Sequence, residues 1–189
     1  MIDITRLVEI RWHGRGGQGA VTSTELLARA AINEGKYAQS FPSFGPERRG
    51  APVMAFDRID PNKPIRVRAD VTEPDVVVVL DPTLLGIVNV ASGLKDGGIL
   101  ILNTSKNIED FEAEFGTKCQ LASVDATRIA RELLGVPIVN TTMLGALLRA
   151  TEVVKMESLV EPIEQRFERL AERNINAMKR AYEETVIKE

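Results

Sequence analysis

"DVVVVL", residues 75–80, sets four consecutive valines between an aspartate and a leucine. A strand with one face in water alternates apolar and polar side chains. An unbroken β-branched run suits a strand covered on both faces, as in a parallel sheet. The rest of the chain supplies the matching pattern of strands alternating with helices. "RLVEIRWH" (6–13) reads as a first strand, and "AVTSTELLARAAINEG" (20–35) as the helix after it. Leu26, Leu27, Ala30 and Ala31 form that helix's apolar face and Gly35 its stop. "KYAQSF" (36–41) reads as a second strand, "ILILN" (99–103) as another buried strand and "CQLASVD" (119–125) as a weaker one. Helices are expected over 81–94, 126–135, 141–154 and 158–187, with Pro162 in the first turn of the last, where its missing N–H costs nothing. "VMAFDRI" (53–59) and "IRVRA" (65–69), joined by the turn "DPNKP", read as a small antiparallel insert. The expectation is one α/β domain over residues 1–189. It has three layers, a mostly parallel sheet with helices on both faces, a small antiparallel insert and a long C-terminal helix.

Composition excludes several function classes. With 24 basic and 27 acidic side chains the formal net charge is -3, against general nucleic-acid affinity, which needs a basic surface to displace counterions. Cys119 is the only cysteine and His13 the only histidine. An internal disulfide is impossible, an iron–sulfur cluster would want about four thiolates, and a zinc site lacks its usual ligands. Thus no metal ligands are assigned. "MIDITRLVEIRW" has no apolar signal-peptide core, and no apolar run approaches the roughly 20 residues needed to cross a bilayer, so a cytoplasmic chain is expected.

"GRGGQG" carries Gly14, Gly16, Gly17 and Gly19 between the first strand and the first helix. In that context G-x-G-x-x-G lets backbone approach a phosphate, with the helix N-terminus supplying N–H groups and partial positive charge. Gly16 and Gly17 are free to take positive φ, Arg15 to add a charge and Gln18 an amide. A tight turn with no ligand accounts for the same residues. The nicotinamide reading lacks a feature: an acid is required about 20 positions on, at the end of the second strand. That region reads "YAQSFPSFG", with no Asp or Glu before Glu47.

"SFPSFGPERRGAP" (40–52) is the second cluster. If the first two strands are neighbours in a doubly wound sheet, loops 14–19 and 42–50 face each other at one edge, where ligands bind. Arg48 and Arg49 would suit a phosphate; solvated arginines on a proline-stiffened loop are the plain alternative. Asp81 ends the valine strand, either as a polar group at the sheet edge or as a cap for the helix beginning at Pro82. His13 stands beside the glycine loop, as a base near a thiol or as a structural hydrogen-bonder. Asn140 or Thr141 reads as the N-cap of the next helix. In the last helix, Val160, Ile163, Phe167, Leu170, Asn174, Ala177 and Ala181 form a stripe for the chain's own sheet. Ala171, Ile175, Met178 and Tyr182 broaden it, with partner contact as one use.

"HGRGGQG" followed by "SFPSFGPERRG", with "NTTMLGALL" (140–148) further on, resembles the gamma subunit of 2-oxoacid:ferredoxin oxidoreductases, particularly the pyruvate type. The match runs over roughly residues 6–150 in order and spacing; Ala51 stands where many relatives carry a second glycine. The resemblance implies oxidative decarboxylation of a 2-oxoacid to acyl-CoA, with electrons passed to ferredoxin. It implies thiamine diphosphate, magnesium and 4Fe-4S clusters on partner alpha, beta and delta subunits. This chain then holds no catalytic centre of its own and stands on the coenzyme A side. On that reading, coenzyme A phosphates meet Gly14, Arg15, Gly16, Gly17, Gln18, Gly19, Ser43, Phe44, Gly45, Pro46, Glu47, Arg48 and Arg49. Two rivals are a purely architectural subunit and a stand-alone nucleotide-dependent oxidoreductase.

Overall fold

The structure, a computed structural model, describes residues 2–43, 50–116 and 119–188. The strands are β1 (Val8–Arg15), β2 (Tyr37–Pro42), β3 (Pro52–Asp60), β4 (Val76–Val79), β5 (Ile99–Asn103), β6 (Gln120–Val124) and β7 (Val186–Lys188). The helices are α1 (Ala20–Asn33), α2 (Glu112–Phe115), α3 (Ala126–Leu134), α4 (Asn140–Thr151), α5 (Val160–Phe167) and α6 (Ala171–Glu184). Among the described residues one seven-stranded sheet runs in the order β2-β3-β1-β4-β5-β6-β7. β1, β4, β5 and β6 pair in parallel; β3 and β7 run against them, and β2 runs against β3. Five of the seven strands therefore share a direction.

The valine run does what its composition demands. Val76 and Val78 enter the core under α1, α3, α4 and α6, while Val77 and Val79 enter a second core with Leu84, Val90, Ile108, Phe111 and Phe115. All four valines are fully buried. Helix α1 ends in a Schellman motif: Gly35 takes φ 79°, its N–H reaches the Ile32 carbonyl at 2.9 Å, and the Lys36 N–H reaches Ala31 at 3.0 Å.

Four sequence expectations change. First, β3 lies between β1 and β2, so the first two strands are not neighbours. Second, residues 65–69 form no strand. Their carbonyls meet a buried arginine instead: the Arg58 guanidinium donates to Ala69 O at 2.8 Å and Val67 O at 3.4 Å. An alternating pattern does not distinguish a strap held by a side chain from a strand held by a ladder. Third, the helix expected over 81–94 is a 3-10 segment, Pro82–Gly86, followed by turns. Fourth, the N-cap of α4 is Val139 and makes no side-chain cap; Asn140 and Thr141 already lie inside the helix.

Met156 to Glu184 is one helical run of 29 residues. Its regularity breaks at Glu168, where φ is 47° and a 3-10 turn separates α5 from α6. The run stops short of residue 187, because β7 closes the sheet's far edge against β6. Ile163, Asn174, Ala177 and Ala181 are buried as the first stripe requires, but Leu170 is exposed. In the second stripe Ala171 and Met178 are also buried in the chain's own core. The small residue Gly145 on α4 lets α6 approach very closely: a Cβ there would lie 2.0 Å from the Met178 carbonyl oxygen. That part of α6 therefore packs closely on α4.

Candidate functional site

Strand β1 ends at Arg15, and the next four residues turn into α1. Gly17 and Gly19 take the left-handed backbone, φ 94° and 83°; Gly16 does not. At Gly17 a Cβ would meet nothing within 4 Å among the described residues, which leave that side of the loop uncovered. At Gly19 it would meet the Asn140 amide at 2.7 Å, so Asn140 at the head of α4 is packed under the loop. Asn140 is buried. Its backbone carbonyl accepts the Ser23 hydroxyl at 3.1 Å, which ties α4 to α1 just below the same loop. No side chain caps the start of α1. Its leading N–H groups and the positive end of its dipole are left at the rim, the arrangement that favours an anion.

The second loop arrives at the same rim by a different route from the one the sequence suggested. β2 is two strands away from β1, but the chain returns through β3, which pairs antiparallel with β1 in the register Arg15↔Pro52. One further step of that ladder joins the loops directly. Gly16 N–H donates to Ala51 O at 2.9 Å, and Gly50 N–H donates to Gly16 O at 3.1 Å. Ser43 continues β2 by donating its N–H to Met54 O at 2.9 Å, and its hydroxyl donates to Asp70 at 3.3 Å. Phe44, Gly45, Pro46, Glu47, Arg48 and Arg49 lie outside the described residues.

Arg15 and Gln18 are placed otherwise than as free ligand groups. The Arg15 guanidinium bonds Asp81 Oδ2 through Nε at 3.1 Å, Thr83 Oγ1 through Nη2 at 2.8 Å and Gly50 O through Nη1 at 3.0 Å. The Gln18 amide accepts from Arg15 N–H at 2.7 Å and donates to Asp81 Oδ2 at 2.8 Å. Asp81 also caps the 3-10 turn, accepting from Thr83 N–H at 2.9 Å, so both sequence readings of Asp81 hold together. Burial alone would raise its pKa; the hydrogen bonds from Thr83 and Gln18 and the Arg15 charge outweigh burial and hold it below 3.8. The sequence suggested neither Thr83 nor Gly50 as part of the rim. "DPT" signals a cap, but nothing in it says that an arginine 68 residues earlier will share its hydroxyl.

The rim extends beyond Asp81. Asn103 at the end of β5 donates to Leu80 O at 2.8 Å and to the Thr127 hydroxyl at 2.9 Å, linking the ends of β4 and β5 to the start of α3.

His13 is no poised base. It is buried on β1, and its Nε2 accepts a hydrogen bond from Arg11 Nε at 3.1 Å. Burial first and the Arg11 charge second push its pKa down to about 4, so the ring is neutral at pH 7. Arg11 is buried too, and its Nη2 donates to the carbonyls of Val90 at 3.0 Å and Ser92 at 2.5 Å. On the opposite sheet face Trp12 Nε1 donates to Asp57 Oδ2 at 2.9 Å, while Asp57 Oδ1 has no hydrogen-bond partner among the described residues. Among the described residues no group of three His, Cys, Asp or Glu side chains is placed to hold a metal ion, and no helix is long and apolar enough to cross a membrane.

Residues 9–184 match the family model described as pyruvate ferredoxin/flavodoxin oxidoreductase. The chain is 56% identical over 185 residues to the pyruvate/ketoisovalerate oxidoreductases common subunit gamma of Thermococcus kodakarensis, covering 97% of this chain and 100% of that one. It is 53% identical to pyruvate synthase subunit PorC of Methanothermobacter thermautotrophicus, covering 94% and 96%. The crystal structure of pyruvate oxidoreductase subunit PORC from Thermotoga maritima superposes with a TM-score of 0.86 at 42% identity, covering 97% of this chain and 99% of that one. The 2-oxoglutarate:ferredoxin oxidoreductase of Magnetococcus marinus, solved with 2-oxoglutarate, coenzyme A and succinyl-CoA bound, shares the fold at 19% identity and a TM-score of 0.75. There the match covers 93% of this chain but 30% of the other. With a family model over nearly its whole length and relatives above half identity, the chain belongs to the pyruvate ferredoxin/flavodoxin oxidoreductase family, as a gamma-type subunit.

Proposed function

We propose that this chain contributes the phosphate-binding edge for coenzyme A in a cytoplasmic pyruvate-type 2-oxoacid:ferredoxin oxidoreductase. The observation that carries the reading is the convergence of three elements at one rim. These are the open glycine turn at Gly17, the uncapped N-terminus of α1 and the Gly50–Ala51 end of the arginine-bearing loop. A turn that opens backbone N–H groups toward a helix N-terminus binds anions, and coenzyme A brings several phosphates. Arg48 and Arg49 are the full charges assigned to it, since Arg15 is committed to Asp81.

Thiamine diphosphate, magnesium and 4Fe-4S clusters belong, on this reading, to partner alpha, beta and delta subunits, with ferredoxin as the electron acceptor. Thiamine diphosphate supplies the carbanion chemistry of decarboxylation when bound there; this chain's residues bind and orient the acyl acceptor. Relatives described as common to pyruvate and ketoisovalerate oxidoreductases serve two oxoacids with one gamma chain. That supports placing the choice of oxoacid on the partners.

Replacing Arg48 and Arg49 together with alanine in the assembled enzyme should raise the KM for coenzyme A by about tenfold or more, since hydrogen bonds to charged groups are the strong ones. The KM for the oxoacid should not move. Initial-rate kinetics with each substrate varied in turn check this, and an unchanged coenzyme A response counts against the site. Loss of assembly in size-exclusion chromatography before any kinetic change would favour the architectural reading. A fluorescence change with NAD(P)H on the purified chain would favour a stand-alone oxidoreductase, against which the missing acid after β2 argues.

A further inference from the structure

We propose that Asp81 is the positioning residue of the glycine loop: it sets the loop's shape before any ligand arrives and couples it to the second loop. The proposal rests on the coenzyme A reading above for its ligand, but its geometry stands apart from that reading.

One carboxylate receives four donors from two separate parts of the chain. Oδ2 accepts Arg15 Nε at 3.1 Å and Gln18 Nε2 at 2.8 Å. Oδ1 accepts Thr83 N–H at 2.9 Å and the Thr83 hydroxyl at 2.6 Å. That hydroxyl in turn accepts from Arg15 Nη2. The Asp81 side chain is 13% exposed and Arg15 25%, and the bonds from Arg15 Nε and Gln18 are partly buried, while those from Thr83 lie at the exposed rim. Gln18 closes the turn at both ends: its Oε1 takes the Arg15 N–H, and its own N–H returns to Arg15 O at 3.0 Å. Arg15 Nη1 then reaches across to Gly50 O. Asp81 thus anchors three rim segments that sequence separates: the glycine turn, the end of the arginine loop and the 3-10 turn after β4.

The consequence is a division of labour. Arg15 and Gln18, the polar side chains of the glycine motif, spend their hydrogen bonds inward. What remains toward a ligand is backbone: the open side of Gly17 and the first turn of α1. Preformed donors of this kind need no rearrangement on binding, so the order Asp81 imposes appears as affinity for the ligand. Replacement of the carboxylate by an amide removes the charge that holds Arg15 and leaves two of the four donors without an acceptor, since each oxygen takes two.

The test compares Asp81→Asn, Arg15→Gln and the double variant in the assembled enzyme. Hydrogen exchange of the peptide covering residues 14–19 should accelerate in Asp81→Asn, while the peptide covering β4 and β5 keeps its protection. The KM for coenzyme A should rise about tenfold, with kcat at saturating coenzyme A and the oxoacid KM unchanged. The double variant should be no worse than the worse single variant, because Arg15 acts through Asp81. Unchanged exchange over residues 14–19 overturns the proposal, as does equal loss of protection in β4 and β5, which would make Asp81 a fold residue only. Fully additive effects of the two substitutions also overturn it. Faster exchange confined to the loop, with an unmoved coenzyme A response, upholds Asp81 as the loop's anchor and removes coenzyme A as its ligand.

Discussion

Gly145→Ala should destabilise the protein by about 3 kcal/mol, and Gly145→Val should prevent native packing, because inserted methyl groups in a tight contact force backbone apart. The added Cβ would stand 2.0 Å from Met178 O and 3.0 Å from Tyr182 N, both backbone atoms of α6 that cannot rotate away. α6 would have to retreat from α4. It would lose the bond from the Thr141 hydroxyl to Asn174 Oδ1 at 2.7 Å and the burial of Met178 and Ala181. The urea midpoint of the purified chain measures this. Gly86→Ala is the control: a Cβ there meets nothing within 4 Å among the described residues, and its φ lies outside the left-handed region, so its midpoint should stay near the parent's. Equal midpoints for Gly145→Ala and Gly86→Ala would refute the close approach of the two helices.

Stability against pH should show two opposed slopes with separate causes. His13 is held neutral in the fold with a pKa of about 4 against an ordinary 6.5. Its contribution is complete above pH 6.5 and is lost as pH falls from there toward 4, a swing of about 3 kcal/mol. Asp57 works in the other direction. Burial raises its pKa well above 3.8, only partly offset by the Trp12 hydrogen bond. The folded state therefore keeps a proton that the unfolded chain releases, and stability falls as pH rises above 3.8 through the folded value. With His13 replaced, the downward slope that remains of the two belongs to Asp57. Unfolding free energies from urea titrations across pH 4–9 should show His13→Gln removing the acid-side swing and Asp57→Asn flattening the downward slope. An Asp57→Asn profile parallel to the parent's across the whole of pH 4–9 would mean that Asp57 holds no proton in the fold that the unfolded chain releases.

The sequence by itself signalled the layered architecture, because four adjacent valines amid alternating strands and helices suit a strand with a core on either side. It also determined where chain direction changes. Gly35 terminates α1 and Gly17 adopts the backbone that side chains avoid, as read from single residues, whereas the second left-handed glycine of the loop is Gly19 rather than the expected Gly16. The motif pair "HGRGGQG" and "SFPSFGPERRG" was enough to signal the family. Tertiary structure alone decided how those motifs meet. The order of strands is a long-range choice, and inserting β3 beside β1 brought Gly50 and Ala51 to Gly16 by ladder hydrogen bonds rather than by neighbouring parallel strands. It also decided what the polar residues do. Arg15 reads as a free charge until Asp81 and Thr83, more than sixty residues on, arrive at hydrogen-bond distance. His13 reads as a base until burial and Arg11 lower its affinity for a proton and the Arg11 hydrogen bond occupies its Nε2. A side chain's charge and freedom are properties of its surroundings, and those surroundings come from distant segments that no local spacing records.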